Sequence, residues 1–183
     1  MTGIMTDTSS FDYLLEISRR CDVGTTSLPS ARDQLAVSWS GVGFLLGEHY
    51  CVAAMDDIAE VLTEPASTRL PGVKPWVRGV ANVRGRLLPL IDLTVFLGES
   101  RTTEQRQRRV LVIEKGDTYI GLIVDDVFGM QHFPVDQYQV DSVLSSEKLA
   151  KYAQGAYQQA ERRWALFRPS QLINDSDFYT VAA

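Results

Sequence analysis

From residue 40 onward the chain alternates between short apolar runs and turn-forming residues. Three pairs of runs flank short segments that contain glycine, which readily adopts the positive φ of a tight turn. The paired runs are Val42–Leu46 with Tyr50–Ala54, Trp76–Val83 with Arg86–Ile91, and Arg109–Glu114 with Tyr119–Val127, and single runs follow at Ile58–Leu62 and Glu161–Phe167. Many short strands at close spacing predict a mostly β fold, an antiparallel barrel or sandwich.

Two of these strands are apolar at every position. Val110–Ile113 and Ile120–Val124 show no alternation between apolar and polar residues. Strands of this kind are covered on both faces. In a small antiparallel protein, two barrels packed together provide such cover, because one face of the strand fills its own barrel and the other fills the seam. The pattern permits this arrangement without requiring it.

Helical signals are brief. Asp92–Leu97 followed by Gly98 predicts a short capped helix, and Ser145–Tyr152 and Ser170–Ile173 predict two more. The N-terminal part differs from the rest, because Phe11, Leu14, Leu15 and Ile17 recur at helical spacing between Ser10 and Cys21. We interpret residues 1–39 as a partly helical extension and residues 40–183 as the main domain.

Composition and charge narrow the function classes. The 183 residues are 45% hydrophobic and 22% charged, as is usual for a globular chain, and their net charge is −5. This balance argues against nonspecific binding to nucleic acid or to anionic membranes, which needs excess positive charge. The most apolar stretch, Leu87–Leu97, is interrupted by Pro89 and Asp92 and is too short to span a bilayer. With no signal peptide visible, we expect a cytoplasmic protein without direct membrane insertion.

Candidate catalytic and metal-binding residues are sparse. Cys21 and Cys51 lie 30 positions apart and His49 and His132 lie 83 apart, so neither pair forms a metal-ligand cluster. We expect reduced, buried thiols, a solvated His49 and a structural His132. The common nucleotide-binding, hydrolase and metalloprotease motifs are missing. The sequence therefore predicts no metal site, no cofactor and no enzyme.

Charged clusters have ordinary explanations. The pairs Asp56-Asp57 and Asp125-Asp126 place neighbouring carboxylates on opposite faces of a strand, which does not make an acid/base pair. We expect them to be solvated or to cap the backbone. The basic run Arg106–Arg109 is interpreted as a solvated loop, because the chain as a whole is acidic and no aromatic residues are interleaved with these arginines, as they are at nucleic-acid contacts.

Three features suit the binding of a partner. The segment Asn82–Gly85 places Arg84 at a hairpin tip, where packing does not explain an arginine. A role in binding and a simple contribution to solubility explain it equally well. Trp76 lies in a loop with two prolines. We interpret it as a core residue in preference to an exposed anchor for a partner. Met130 and Phe133 are either core residues or the floor of an apolar groove for a partner helix.

A longer motif connects these features. Residues 71–93 read PGVKPWVRGVANVRGRLLPLIDL, and together with shorter matches they resemble the CheW-like coupling domain of bacterial chemotaxis. The shorter matches are Phe44–Val52, Ile58–Val61, Gly121–Val127 and Trp164–Leu172. The resemblance runs in order from Ser40 to Ile173. The phrases SWSGVGF and FGMQHFPVD resemble the branch of this family that serves type IV pili and twitching motility.

The resemblance implies a fold of two small five-stranded, SH3-like antiparallel β-barrels that share an apolar seam. It also implies a non-catalytic scaffold that couples the cytoplasmic tip of a methyl-accepting chemoreceptor to the regulatory domain of a CheA-type histidine kinase, in receptor arrays at the membrane. The kinase domain, itself a homologous pair of barrels, would pack barrel to barrel. By motif, Arg84 and Glu60 match charged coupling residues, and Asn82 and Gly85 belong to the same turn. Ile58, Val80 and Leu87 match apolar positions near the receptor groove.

Two other function classes fit a small β-barrel. One is an enzyme or ligand-binding protein that uses Asp92, Asp125 or His132 near the seam, which would need an enclosed pocket with converging polar groups. The other is a nucleic-acid-binding barrel, whose affinity would depend steeply on salt.

Overall fold

The computed structural model describes residues 38–100, 107–140 and 146–183. The predicted helix at 10–21, and Cys21 with it, lie outside these residues. In chain order the strands are β1 (Ser38–Leu46), β2 (His49–Ala54), β3 (Glu60–Thr63), β4 (Ser67–Thr68), β5 (Val77–Val83), β6 (Arg86–Asp92), β7 (Arg109–Lys115), β8 (Thr118–Val124), β9 (Asp126–Pro134), β10 (Tyr138–Gln139), β11 (Ala153–Gln159) and β12 (Arg162–Phe167). The helices are α1 (Leu93–Leu97), α2 (Glu147–Lys151), α3 (Pro169–Ile173) and α4 (Ser176–Tyr179).

The strands form two curled sheets. The order β10-β11-β12-β2-β1-β9 makes the terminal barrel, and β3-β7-β8-β6-β5-β4 makes the inserted barrel, whose strands all lie between β2 and β9 in the chain. In each sheet, the two edge strands follow one another along the chain. Residues 64–66 connect β3 to β4, and residues 135–137 connect β9 to β10. Each short connection therefore closes its own barrel.

The predicted pair of barrels is confirmed, with two details added. Each sheet has five longer strands plus one of only two residues, β4 or β10. Each also contains a single parallel pairing among its antiparallel ones. In the inserted barrel Leu90 of β6 pairs with Gly121 of β8, and in the terminal barrel Ala165 of β12 pairs with Cys51 of β2.

The uniformly apolar strands are covered on both faces, as predicted. Val110 and Val112 of β7 belong to the core of the inserted barrel, together with Leu88 of β6. Leu111 and Ile113, which alternate with them, point to a larger cluster that also contains Phe44 of β1. That cluster, the seam cluster, draws on residues of both sheets. A third cluster, which includes Phe133 and Trp164, fills the terminal barrel.

The short helices form where the capping residues predict them. Asp92 accepts a hydrogen bond at 3.1 Å from the Val95 amide and begins α1, and Gly98, with φ 75°, ends it. Ser146 caps α2 in the same way, and α3 has Pro169 in its first turn. In the described part of the chain, no helix has the length and apolarity to cross a membrane.

One expectation about charged residues is wrong, and for another the structure selects one of two alternatives. Arg108, interpreted as part of a solvated loop, is only 9% exposed, and its guanidinium lies 3.8 Å from the buried Glu64 carboxylate, which Arg78 also approaches. Asp125, which we expected either to be solvated or to cap the backbone, is buried and caps the backbone. Its Oδ2 accepts hydrogen bonds from the Gly47 amide at 2.6 Å and from the Thr94 hydroxyl at 3.1 Å.

Candidate protein-interaction site

The β5–β6 turn is made by two residues in the left-handed region. Arg84 has φ 52° and Gly85 has φ 81°, and the strands close around them with Val83 opposite Arg86. The Asn82 side chain accepts a hydrogen bond at 2.9 Å from the Gly85 amide. Positive φ at both central residues is typical of a type I′ turn, which favours Asn-Gly or Gly-Gly. An arginine in this conformation costs about 1–2 kcal/mol.

The Arg84 side chain stands largely in solvent and reaches across the barrel opening. Its side chain is 77% exposed, and it forms an ion pair with Glu60 of β3, which is 27% exposed. β3 is one edge of the inserted sheet, and β5 lies next to the other edge. The ion pair therefore joins the two margins of the barrel at its open end. Between exposed partners it contributes at most about 1 kcal/mol to stability.

A second charged pair lies beside this turn. Arg86 donates a hydrogen bond at 2.9 Å to Glu114 of β7, and its guanidinium lies 3.8 Å from the centre of the Tyr119 ring. Both charged groups remain about half exposed. The open end of the inserted barrel therefore has a rim of oriented, solvent-accessible charges, which the sequence motif indicated only through Arg84 and Glu60.

Apolar side chains cover the outer face of the same hairpin. Ala81 and Leu88 point into the inserted barrel, so their neighbours Val80, Asn82 and Leu87 point outward. Leu87 lies opposite Asn82 and is 71% exposed, a large value for a leucine in a strand. Val80 is half-buried.

Ile58, the remaining predicted groove residue, lies apart from this face. It precedes β3, is half-buried and packs against the seam cluster. Val61, which lies on β3 three positions after Ile58, is exposed instead. The apolar run Ile58–Leu62 predicted a strand without showing which of its members would reach the surface.

The residues of the alternative, enzymatic interpretation are held in separate structural contacts. Asp92 caps α1, Asp125 holds the Gly47 amide, and the ring Nδ1 of His132 lies 2.7 Å from the Ser40 hydroxyl on the exposed side of β9. His49, expected to be solvated, is partly buried and lies 3.6 Å from the Glu99 carboxylate. Within the residues described, no cluster of three or more His, Cys, Asp or Glu could hold a metal ion.

The remaining candidates from the sequence divide between core and surface. Phe133 is fully buried in the terminal barrel, whereas Met130 is 57% exposed on the opposite face of β9. Trp76 packs against the seam cluster, as its interpretation as a core residue predicted. Cys51 is buried as a free thiol, and burial raises the pKa of that thiol above its ordinary value, so it remains protonated at neutral pH.

Comparison with known proteins agrees with this arrangement. The family described as CheW-like domain matches residues 40–177. Protein PilI of Pseudomonas aeruginosa is 46% identical over 172 residues, which cover 94% of this chain and 96% of that protein. Chemotaxis protein CheW of Thermotoga maritima is 30% identical over 114 residues, covering 62% of this chain and 74% of its own.

A solved structure shows the same fold. The scaffolding protein TtCheW from Thermoanaerobacter tengcongensis superimposes with a TM-score of 0.63 at 21% sequence identity. The superposition covers 71% of this chain and 88% of that protein.

Proposed function

This chain belongs to the CheW-like domain family, and we propose that it is a non-catalytic adaptor that couples a chemoreceptor to a histidine kinase. In this proposal the cytoplasmic tip of a methyl-accepting receptor contacts the turn of β5 and β6. The regulatory domain of a CheA-type kinase is the second partner. The adaptor would work in the cytoplasm, within receptor arrays at the membrane.

The observation that carries the proposal is the conformation of Arg84. A glycine or asparagine would form the same turn with less strain, yet the chain has a long cation there with 77% of its side chain exposed. The ion pair with Glu60 is too exposed to compensate fully for this backbone. Backbone strain of this kind is concentrated at functional sites, where the side chain is needed for something other than folding.

The surroundings of Arg84 support a two-part contact. Leu87 and Val80 offer an apolar surface for a side chain of the receptor's helical hairpin. Arg84 and Glu60 lie at the rim, where charges contribute orientation and selectivity more than affinity. Asn82 and Gly85 act indirectly, because they hold the turn that presents Arg84.

The similarity to Protein PilI supports a more specific assignment. Identity of 46% over nearly the full length of both chains favours a role in the chemosensory system of type IV pili and twitching motility. The partners would then be a PilJ-like receptor and a ChpA-like kinase.

The proposal is tested by co-purification of the full chain with a receptor cytoplasmic fragment and with the kinase regulatory domain. We expect Arg84→Ala to reduce the retained partner roughly fivefold or more, which corresponds to a loss of about 1 kcal/mol of binding free energy. Arg163→Ala is the matched control, since Arg163 is an exposed arginine of the terminal barrel. Thermal unfolding of both variants should match that of the parent chain. Undiminished capture of both partners by Arg84→Ala would refute the proposed role of this turn.

A further inference from the structure

A cavity separate from the proposed receptor surface lies at the far end of the β5–β6 hairpin. This cavity of about 270 Å³ is lined by residues that include Lys74, Trp76, Phe96, Lys148 and Tyr152. Trp76 directly precedes β5, and Phe96 belongs to α1, which directly follows β6. Seven residues of extended strand separate this end from Arg84, a distance of roughly 20 Å. We call it the lysine–aromatic cavity, and a ligand within it would not touch the proposed receptor turn.

The walls of the cavity are aromatic and well supported. The Trp76 and Phe96 rings meet edge to face with centroids 5.4 Å apart, and Phe96 lies 6.0 Å from the Tyr152 ring. Trp76 and Phe96 both pack against the seam cluster, of which Tyr152 is a member. These rings are therefore held in place by the core and form a preformed apolar surface.

The charges at the cavity are mostly positive and partly uncompensated. Lys151 is paired with Asp175 at 2.6 Å. The Lys74 ammonium lies 4.9 Å from the centre of the Trp76 ring, and neither Lys74 nor Lys148 forms an ion pair with any described residue. Asp177 is the carboxylate in the lining. Two ammonium groups therefore remain available to an anionic ligand.

The size of the cavity limits what that ligand can be. Sites for cofactors and drug-sized molecules usually enclose about 300–1,000 Å³, and a cavity of about 270 Å³ lies just below that range, with room for one large apolar side chain. We propose that the lysine–aromatic cavity binds an acidic peptide segment of a protein partner. An aromatic side chain of the peptide packs against the apolar surface that Trp76 and Phe96 form together, and flanking carboxylates meet Lys74 and Lys148.

The test uses the full chain and three acetylated, amidated pentapeptides. The sequence Asp-Glu-Phe-Asp-Glu contains both proposed elements, Asn-Gln-Phe-Asn-Gln removes the charges, and Asp-Glu-Gly-Asp-Glu removes the ring. Binding is followed through the indole N–H signals of the three tryptophans by ¹⁵N NMR, with Trp76→Phe to assign the signal of Trp76. We expect only the first peptide to shift that signal strongly, leaving those of Trp39 and Trp164 in place.

Lysine variants locate the charged contact. The double variant Lys74→Gln/Lys148→Gln should weaken binding of the first peptide about fivefold or more, as expected for two partly exposed ion pairs. Lys115→Gln, which removes an exposed lysine from the β7–β8 hairpin, should leave binding unchanged. Equal affinity for the charged and uncharged peptides, or an unaffected double variant, would overturn the proposal. Since Arg84 is intact in these variants, receptor capture should persist, which separates this result from the proposed adaptor function.

Discussion

At the scale of single residues, the clearest conflict between stability and function is at Arg84. The β11–β12 turn provides a comparison within the same chain, because Ala160 also has φ 52°. Neither residue has the glycine-like freedom that such a backbone favours. The difference is that Ala160 has no side chain that could bind a partner, whereas Arg84 has one of the longest.

Replacing each of these residues by asparagine separates the two effects. Asparagine tolerates the left-handed region, so Ala160→Asn should raise the free energy of unfolding by about 0.5–1 kcal/mol. Arg84→Asn should gain a similar amount from the turn and lose the exposed ion pair with Glu60, for a net change in the free energy of unfolding between about −0.5 and +1 kcal/mol. Urea denaturation measures both changes, and partner capture should fall for Arg84→Asn alone. A loss of stability above about 1 kcal/mol in Arg84→Asn would instead assign the arginine a structural role.

Asp175 predicts an acid-dependent part of the stability. Its carboxylate accepts hydrogen bonds from Lys151 and from the Tyr152 hydroxyl, and from the Asp177 amide. These contacts, the Lys151 hydrogen bond above all, lower the pKa of Asp175 from 3.8 to about 2. Since the folded pKa lies below the unfolded one, the stabilisation is fully present above pH 4 and is lost as the pH falls from about 4 to 2.

The Asp175→Asn variant should therefore be less stable at neutral pH and should show a shallower decline between pH 4 and pH 2. The measurement is a series of urea titrations across that range. Asp117→Asn, in the exposed β7–β8 turn, is the control and should keep the slope of the parent chain. Parallel curves for Asp175→Asn and the parent would show that this carboxylate is not the titrating group.

At the scale of secondary structure, local signals predicted the hairpins better than the remaining strands. The β1–β2, β5–β6 and β7–β8 hairpins each have apolar strands and a glycine in the turn, all visible in the sequence. β11 reads AQGAYQQ, and β9 has one buried residue, Phe133, among half-buried and exposed ones, so neither shows a strong apolar pattern. Their strand conformation depends on pairing with β12 and β1. The parallel pairs β6–β8 and β12–β2 join distant segments, which no local pattern specifies.

Gly79 shows how one element depends on close backbone approach. It has φ 139°, and a Cβ atom there would lie 2.2 Å from the Thr68 carbonyl oxygen on β4. Gly79→Ala should therefore break the β4–β5 pairing and cost about 2–4 kcal/mol of unfolding free energy. Gly72→Ala also has positive φ but open space around the added atom, so it should cost only about 1 kcal/mol. Chemical denaturation compares them, and equal losses would show that the contact with Thr68 relaxes freely.

At the scale of the whole domain, the two proposed binding sites differ in how far sequence could predict them. Arg84, Asn82, Gly85 and Leu87 lie within one contiguous motif, so a resemblance over a short stretch indicates them together. The lysine–aromatic cavity combines Lys74, Phe96 and Lys148, which are separated by more than twenty residues each. Only the packing of both barrels against the seam cluster brings such residues together.

The shared seam cluster also predicts that the two barrels unfold together. Phe44 of the terminal barrel is fully buried in this cluster and meets Phe167 edge to face at 5.8 Å, beside Leu111 and Leu122 of the inserted barrel. Phe44→Ala should lower the free energy of unfolding by about 3–5 kcal/mol, the usual loss for a large buried side chain.

The free energy of unfolding should fall by the same amount whether it is measured with a probe in the terminal barrel or with one in the inserted barrel. In a Trp76→Phe background, tryptophan fluorescence reports on the terminal barrel, which contains Trp39 and Trp164, and hydrogen exchange of the β7 amides reports on the inserted barrel. Leu88→Ala, a deletion inside the inserted barrel alone, is the matched control and should also shift both probes. Separate transitions for the two probes would contradict a common core. If the transitions coincide, a partner that binds the rim of the inserted barrel also stabilises the terminal barrel, because a ligand that binds only the folded state stabilises the whole cooperative unit.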